Sequence, residues 1–269
     1  MNFNEKRLSA LEKAISDAVE VRSREPSPSW SIKYTKTKSV RTNPELLRER
    51  RVITGLKNDA QADIFRILRT AVLRKLRAGN WNALAITSPT PGAGKSLVTV
   101  NLAIALAMEV NQTVLVVDAD LRNPNVGWFF GLHVEKGLLD YLREDIPLQE
   151  ILINPGFERL VVLPGNGSSG HSSELLSSPK MFDLVRELKS KYESRIILFD
   201  LPPLLAADDT LLFMPNFEAA LLVVEDGRNT PDEIRRSLRI LEDTELAGVV
   251  LNKVKGSTGR SYYAPYQFP

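Results

Sequence analysis

One ten-residue stretch, Thr87-Ser88-Pro89-Thr90-Pro91-Gly92-Ala93-Gly94-Lys95-Ser96, constrains this chain more than any other, because it joins the apolar run Ala83-Leu84-Ala85-Ile86 to Leu97-Val98-Thr99-Val100-Asn101-Leu102-Ala103. Strand, glycine loop and helix, in that order, build a phosphate-binding loop. Gly92 and Gly94 permit positive φ, so that successive backbone N–H groups turn inward, and the helix that follows adds the positive end of its dipole. Lys95 then reaches toward β- and γ-phosphates, and Ser96 offers its hydroxyl to Mg²⁺. Pro91, Ala93 and Leu97 flank these residues and complete the candidate nucleotide contacts. A glycine turn that merely links two elements is the competing reading of any such loop, and the flanking strand and helix weigh against it. The loop departs from G-x-x-x-x-G-K-S/T at its first glycine, where Pro89 stands.

Carboxylates follow two further apolar runs. The β-branched stretch Thr113-Val114-Leu115-Val116-Val117 leads into Asp118-Ala119-Asp120-Leu121-Arg122, and Arg195-Ile196-Ile197-Leu198-Phe199 leads into Asp200-Leu201-Pro202-Pro203. Unalternated runs of this kind suit central parallel strands covered on both faces. Leu160 to Leu163, Ala220 to Val224 and Ala247 to Leu251 read as further strands, and helical spacing recurs from Asn58 to Leu76, Lys180 to Lys191 and Asp232 to Glu242. The expected fold is therefore α/β, a doubly wound and mostly parallel sheet with ligands at the carboxyl ends of its strands. An aspartate at one strand end is as readily a helix cap or turn former. Asp118, Asp120 and Asp200 converging on one phosphate loop make a candidate Mg²⁺ and catalytic cluster.

The 269 residues suffice for one large α/β domain and an extension. A net charge of +2 gives no electrostatic case for nucleic acid, and the absence of cysteine removes disulfides and thiolate zinc sites. The polar start Met1 to Lys6 lacks the apolar core of a signal peptide, and no run approaches the roughly 18 apolar residues of a membrane span. Residues 1–57 read as an extension. Within it, Leu8, Leu11, Ile15 and Val19 share one face of a possible docking helix at 4–21, for which a tail with transient helicity remains an equal alternative. Ser23 to Asn43, rich in Ser, Pro, Lys and Arg, reads as a linker. The catalytic domain is expected over 58–257 and a tail over 258–269. In the helix at 58–77, Asp63, Arg66 and Arg69 fall along one side, either as a solvated stripe or as an ion-pairing surface for a second subunit. Gly165-Asn166-Gly167-Ser168-Ser169-Gly170 matches G-x-G-x-x-G in form but reads as a polar loop, and His133 and His171 read as structural.

From about Asn58 onward the chain resembles the bacterial tyrosine autokinases of exopolysaccharide and capsule biosynthesis, a P-loop family unrelated to the eukaryotic protein kinases. Ser88 to Ser96 satisfies that family's S-x-x-P-G-x-G-K-S/T loop, Asp118 to Arg122 its D-x-D-x-R motif, and Asp200 to Pro203 its D-x-P-P motif. The resemblance implies ATP and Mg²⁺ as cofactors. By it, Ser96, Asp120 and Asp200 hold the metal, Lys95 neutralises the transferring phosphoryl, Asp118 accepts the tyrosine proton and Asn252 contacts adenine. The acceptors it implies are Tyr262, Tyr263 and Tyr266, three tyrosines where the family's tail is tyrosine-rich, presented by a neighbour in a ring-like homo-oligomer. The family's contact motif E-x-x-R-x-x-R stands here with Asp63 in place of Glu, ahead of Arg66 and Arg69. Members are either fused to a membrane chain-length determinant or activated by one as separate chains, and the second arrangement is expected here, with a cytoplasmic chain recruited to the inner face of the membrane.

Two other functions compete. A partitioning or positioning ATPase shares the fold and the D-x-D strand, but carries a second loop lysine where this chain has Thr90. A non-catalytic ATP-binding subunit of the export machinery would tolerate the sparse tail, whereas the intact Lys95, Asp118, Asp120 and Asp200 speak for catalysis.

Overall fold

The computed structural model describes residues 37–56, 62–190 and 194–255. In chain order the elements are β1 (Lys38–Ser39), α1 (Pro44–Glu49), α2 (Ala62–Gly79), β2 (Ala83–Thr87), α3 (Lys95–Ala107), β3 (Thr113–Asp118), α4 (Val126–Phe130), α5 (Leu138–Arg143) and α6 (Leu148–Ile151). They continue as β4 (Ile153–Asn154), β5 (Leu160–Leu163), α7 (Ser172–Leu176), α8 (Pro179–Ser190), β6 (Arg195–Asp200), α9 (Asp209–Phe213), β7 (Ala219–Glu225), α10 (Pro231–Ile240) and β8 (Glu245–Asn252).

The strands form one sheet in the order β1-β4-β5-β3-β6-β2-β7-β8. Every pairing is parallel except β4 with β5. Period-two alternation divides the strand residues between two cores. Ala83, Ala85, Leu115, Val117, Ile197, Phe199 and Leu222 face one side with α5 and α8, while Leu84, Ile86, Val114, Val116, Leu198 and Val223 face the other with α2 and α3. Both faces are thus covered, which accounts for the unalternated apolar runs in β2, β3 and β6. The expected doubly wound sheet is the fold observed.

β2 lies between β6 and β7; the chain leaves it on the β6 side, toward β3, and later crosses from β6 to β7 on its other side. Such a switch point opens a crevice beyond the carboxyl ends of the strands. Register places the three site strands level there: Ile86 pairs with Asp200, and Asp200 pairs with Asp118. The phosphate loop is also tied to the segment after β6, through Leu201 N–H to Ile86 O at 3.0 Å and Leu204 N–H to Ser88 O at 2.9 Å.

The structure differs from the sequence expectation before α2. Part of the expected linker and extension packs on the domain: β1 extends the sheet beside β4, Asn43 caps α1 through Glu45 N–H, and Leu47, Val52 and Leu56 are buried in the same core as Val72 and Leu76. Asn101 explains the attachment. It is a fully buried polar residue in the apolar C-terminal half of α3, and its Oδ1 accepts from Thr54 N–H (3.1 Å) and Thr54 Oγ1 (3.0 Å) while Nδ2 donates to Arg51 O (3.1 Å). Three apolar residues spaced irregularly carry no periodic signal, which is why the segment reads only as extension in the sequence. The possible helix at 4–21 lies outside the described residues.

Candidate active site

The loop backbone departs from helical geometry where the glycines stand, with φ of 86° at Gly92 and 93° at Gly94. Gly94 is the N-cap of α3 and no side chain satisfies the first turn, so the free N–H groups of a 13-residue helix face the crevice. A β-carbon on Gly94 would lie 2.3 Å from Asn252 Nδ2 and displace that amide, and the positive φ disfavours any other residue there.

Lys95, Ser96, Asp120 and Asp200 come together at the crevice floor. Lys95 Nζ lies 2.7 Å from Asp120 Oδ2 and 3.5 Å from Asp200 Oδ2. Ser96 Oγ donates to Asp200 Oδ2 at 2.5 Å, and Thr99 Oγ1 donates to Asp200 Oδ1 at 3.0 Å. Burial alone would depress the Lys95 ammonium, but the Asp200 and Asp120 carboxylates outweigh it and hold the group above the ordinary lysine range. Burial raises the Asp200 carboxyl, with Lys95 and Ser96 opposing the rise. No sequence motif marks Thr99, although it lies three residues after Ser96, one helical turn along the same face.

Asp118 stands one step behind this group. It is fully buried, its Oδ2 accepts from Val126 N–H at 2.9 Å, and its Oδ1 has no hydrogen-bond partner. Burial, reinforced by the neighbouring Asp200 charge, pushes its carboxyl well above the usual carboxylate range. It does not line the crevice as Asp120 does. A carboxylate of raised basicity suits a proton acceptor.

Asn252 and Lys253 leave β8 against the outside of the loop. Asn252 Nδ2 donates to Ala93 O at 2.8 Å and Lys253 Nζ to Gly92 O at 2.7 Å, so two consecutive loop carbonyls are held outward and the N–H groups are left inward. Glu225 Oε2 anchors this clamp, 3.2 Å from Lys253 Nζ and 3.3 Å from Arg228 Nη1. Thr90 is engaged as well, its Oγ1 accepting from Asn229 Nδ2 at 2.7 Å. Sequence reasoning gives Lys253 no role beyond its place at the end of the Gly248 to Lys253 resemblance, and misses Asn229 and Glu225.

The residues fit ATP and Mg²⁺. Inward N–H groups, one cation and an uncapped helix suit a polyphosphate, and Ser96, Asp120 and Asp200 offer the oxygen donors a hard cation takes beside phosphate oxygens and water. Among the described residues no three His, Cys, Asp or Glu side chains make a metal site on their own.

Away from the crevice, Asp63 and Arg66 form an exposed ion pair on α2, with Ile64 and Ile67 also exposed beside them. Arg69 is turned inward, 3.2 Å from Glu109 and donating to Ala105 O at 3.4 Å. The 165–170 loop is ordered by its own bonds, Ser169 N–H to Leu121 O and Arg143 Nη2 to Ser169 Oγ, and His133 and His171 are exposed beside Glu135 and Glu174. Tyr262, Tyr263 and Tyr266 lie outside the described residues.

A parallel sheet, a glycine loop at its switch point and carboxylates at the adjoining strand ends define a P-loop nucleotide-binding protein. Residues 84–265 match the family described as the CobQ/CobB/MinD/ParA nucleotide binding domain. EpsB of Ralstonia nicotianae is 33% identical over 221 residues, and the tyrosine-protein kinase Etk of Escherichia coli K12 is 31% identical over 208 residues; these cover 78% and 76% of this chain and 28% of each relative. The chain thus spans little more than a quarter of the length of these relatives. The solved kinase domain of E. coli Etk superimposes with a TM-score of 0.68 at 31% identity, over 77% of this chain and 81% of that one. The septum site-determining protein MinD of Pyrococcus horikoshii, solved with Mg-ADP, superimposes with a TM-score of 0.54 at 28% identity, over 63% and 69%. The chain belongs to the CobQ/CobB/MinD/ParA nucleotide-binding family and, within it, to the bacterial tyrosine-kinase domains. Among the described residues no helix is long and apolar enough to cross a membrane.

Proposed function

We propose that this chain is the catalytic domain of an ATP-dependent protein-tyrosine autokinase that regulates exopolysaccharide or capsule polymerisation and export. The observation that carries the reading is the assembled floor, in which Lys95 Nζ sits 2.7 Å from Asp120 Oδ2 and Ser96 is bonded to Asp200. Phosphoryl transfer asks for positioning and charge neutralisation of this kind rather than covalent chemistry. Bound Mg²⁺ would supply the remaining charge neutralisation of the polyphosphate. Ser96, Asp120 and Asp200 would hold it directly or through water, Gly92 to Gly94 would orient the polyphosphate, and Asn252 supports the loop through Ala93 O. The tyrosine oxygen forms its bond to the γ-phosphorus as the bond to the β–γ bridging oxygen breaks; ADP leaves with that electron pair and Asp118 takes the phenolic proton.

Tyr262, Tyr263 and Tyr266 are the proposed acceptors, phosphorylated in trans within a ring-like homo-oligomer. The exposed Asp63–Arg66 pair is the expected contact, whereas Arg69 already serves its own subunit through Glu109. A membrane chain-length determinant would recruit and activate the ring. A second loop cation of the partitioning-ATPase kind is missing, and Thr90 in its place is bonded to Asn229.

The test is the intact mass of the protein after incubation with Mg²⁺ and ATP, with and without the cytoplasmic segment of its membrane partner, beside Lys95→Met. Phosphate additions mapping to the three tail tyrosines and absent from the variant support the kinase. ATP binding without phosphate addition leaves the regulatory subunit in its place, and rapid release of free phosphate the ATPase switch.

A further inference from the structure

We infer that the apolar wall of the crevice, built around Trp128, is the platform on which the ring of the acceptor tyrosine lies; the inference rests on the kinase reading above. The crevice encloses about 330 Å³ and its two sides differ in chemistry. Lys95, Ser96 and Asp120 line it together with Arg122 and Asn125, while Trp128, Phe129, Pro202, Pro203 and Ala206 add an apolar wall that offers contact area rather than charge.

Trp128 is 53% exposed, unusual for so large an apolar side chain. Its position is fixed. The Arg50 guanidinium stacks 4.3 Å from the indole centroid, Arg50 Nη1 donates to the Trp128 carbonyl, and Phe129 meets the ring edge-on at 5.0 Å. A fixed, half-exposed indole costs little further side-chain entropy when it binds a second ring.

Two candidate rings could cover it, adenine or the acceptor phenol, and the floor chooses between them. The wall shares its crevice with Lys95, Ser96 and Asp120, the groups that face the γ-phosphoryl end. The base lies at the other end of the nucleotide, and an in-line acceptor enters beyond the γ-phosphorus. A phenol fits this wall because its oxygen stands at the far end of a flat apolar ring. A serine hydroxyl, one bond from its β-carbon, would leave the wall uncovered.

The test uses the full-length chain with a non-hydrolysable ATP analogue, Mg²⁺ and a synthetic peptide of residues 258–269, read by quenching of tryptophan fluorescence and by isothermal titration. Trp128→Ala is expected to weaken peptide binding about tenfold while Trp128→Phe stays within about threefold. A peptide with its tyrosines changed to alanine should bind no better to the unaltered protein than to Trp128→Ala. In turnover at saturating ATP, Trp128→Ala should raise KM for the peptide with kcat little changed. Peptide affinity unchanged in Trp128→Ala, or equal affinity for the tyrosine-free peptide, overturns the platform. A loss of ATP affinity with peptide binding intact also overturns it and assigns the wall to adenine. If tyrosine-dependent binding is seen but no phosphate is transferred, the kinase reading fails and the platform stands. Phosphate transfer that is indifferent to Trp128 overturns the platform and leaves the kinase intact.

Discussion

Replacing Asp118 with asparagine should stabilise the nucleotide-free protein while removing its proposed catalytic function. The carboxylate is fully buried, Oδ2 has one hydrogen bond from Val126 N–H, and Oδ1 has none. Asparagine keeps a carbonyl oxygen for Val126 and removes the charge. The amide Nδ2 stands unpartnered where Oδ1 did, so the gain comes from removing a buried charge and not from filling a hydrogen bond; it is about 1–3 kcal/mol, and for a chain of this size each kcal/mol moves Tm by about 2–4 °C. The pH dependence separates this cause from generic repacking. Burial raises the Asp118 carboxyl in the folded state, so the fold favours its protonated form. That contribution is fully present below the unfolded-state value and is lost as pH rises through the folded one. The variant's advantage should therefore be largest near neutral pH and shrink as the wild-type carboxyl takes up its proton. Thermal unfolding of both proteins without nucleotide, from about pH 8 down to about pH 5, measures it. A fall in Tm at neutral pH, or a gain that does not change with pH, would refute the reasoning.

Lys95→Met leaves Asp120 and Asp200 buried without their cation, and should cost about 3–5 kcal/mol in a denaturant melt; adding Asp200→Asn should recover part of it, and the absence of any recovery counts against the pairing. Lys253→Ala releases the Gly92 carbonyl at a part-exposed site, so KM for ATP should rise about fivefold with Tm nearly unchanged, as steady-state kinetics would show. Gly94→Ala combines positive φ with a β-carbon 2.3 Å from Asn252 Nδ2, and titration with a fluorescent ATP analogue should show affinity reduced by tenfold or more. Arg66→Glu reverses the exposed half of the α2 ion pair and should shift the species seen by light scattering toward monomer without altering Tm.

The parts of this molecule that are legible in the sequence are those where one residue type has one physical use. Gly92 and Gly94 are required by backbone geometry, and both adopt positive φ. Val114 to Val117 and Ile196 to Phe199 could be unalternated only in strands covered on both faces, and β3 and β6 are such strands. What is not legible depends on residues with many uses whose partners are distant in sequence. Asn101 holds Arg51 and Thr54, about fifty residues away; Asn229 meets Thr90 across 139 residues; Arg50 stacks on Trp128 across 78. Each is a polar group or an aromatic with no local pattern to distinguish it from a surface residue.

That division bears on how the site works. The residues that the motifs pick out, Lys95, Ser96, Asp120 and Asp200, supply the charge, but their arrangement depends on groups the motifs omit. Thr99 fixes the second oxygen of Asp200, and Lys253 with Asn252 turns the loop carbonyls outward. The segment expected to be an extension contributes directly, since Arg50 at the end of α1 sets Trp128 at the crevice. A change before residue 57 can therefore reach the active site through one stacked guanidinium, whereas the glycine loop is braced from β8 and the β7–α10 turn on the other side of the sheet. The two sides of the crevice answer to different ends of the chain. If the wall receives the acceptor and the loop receives the nucleotide, Arg50→Ala should weaken acceptor binding and Lys253→Ala nucleotide binding, and neither effect should cross to the other ligand.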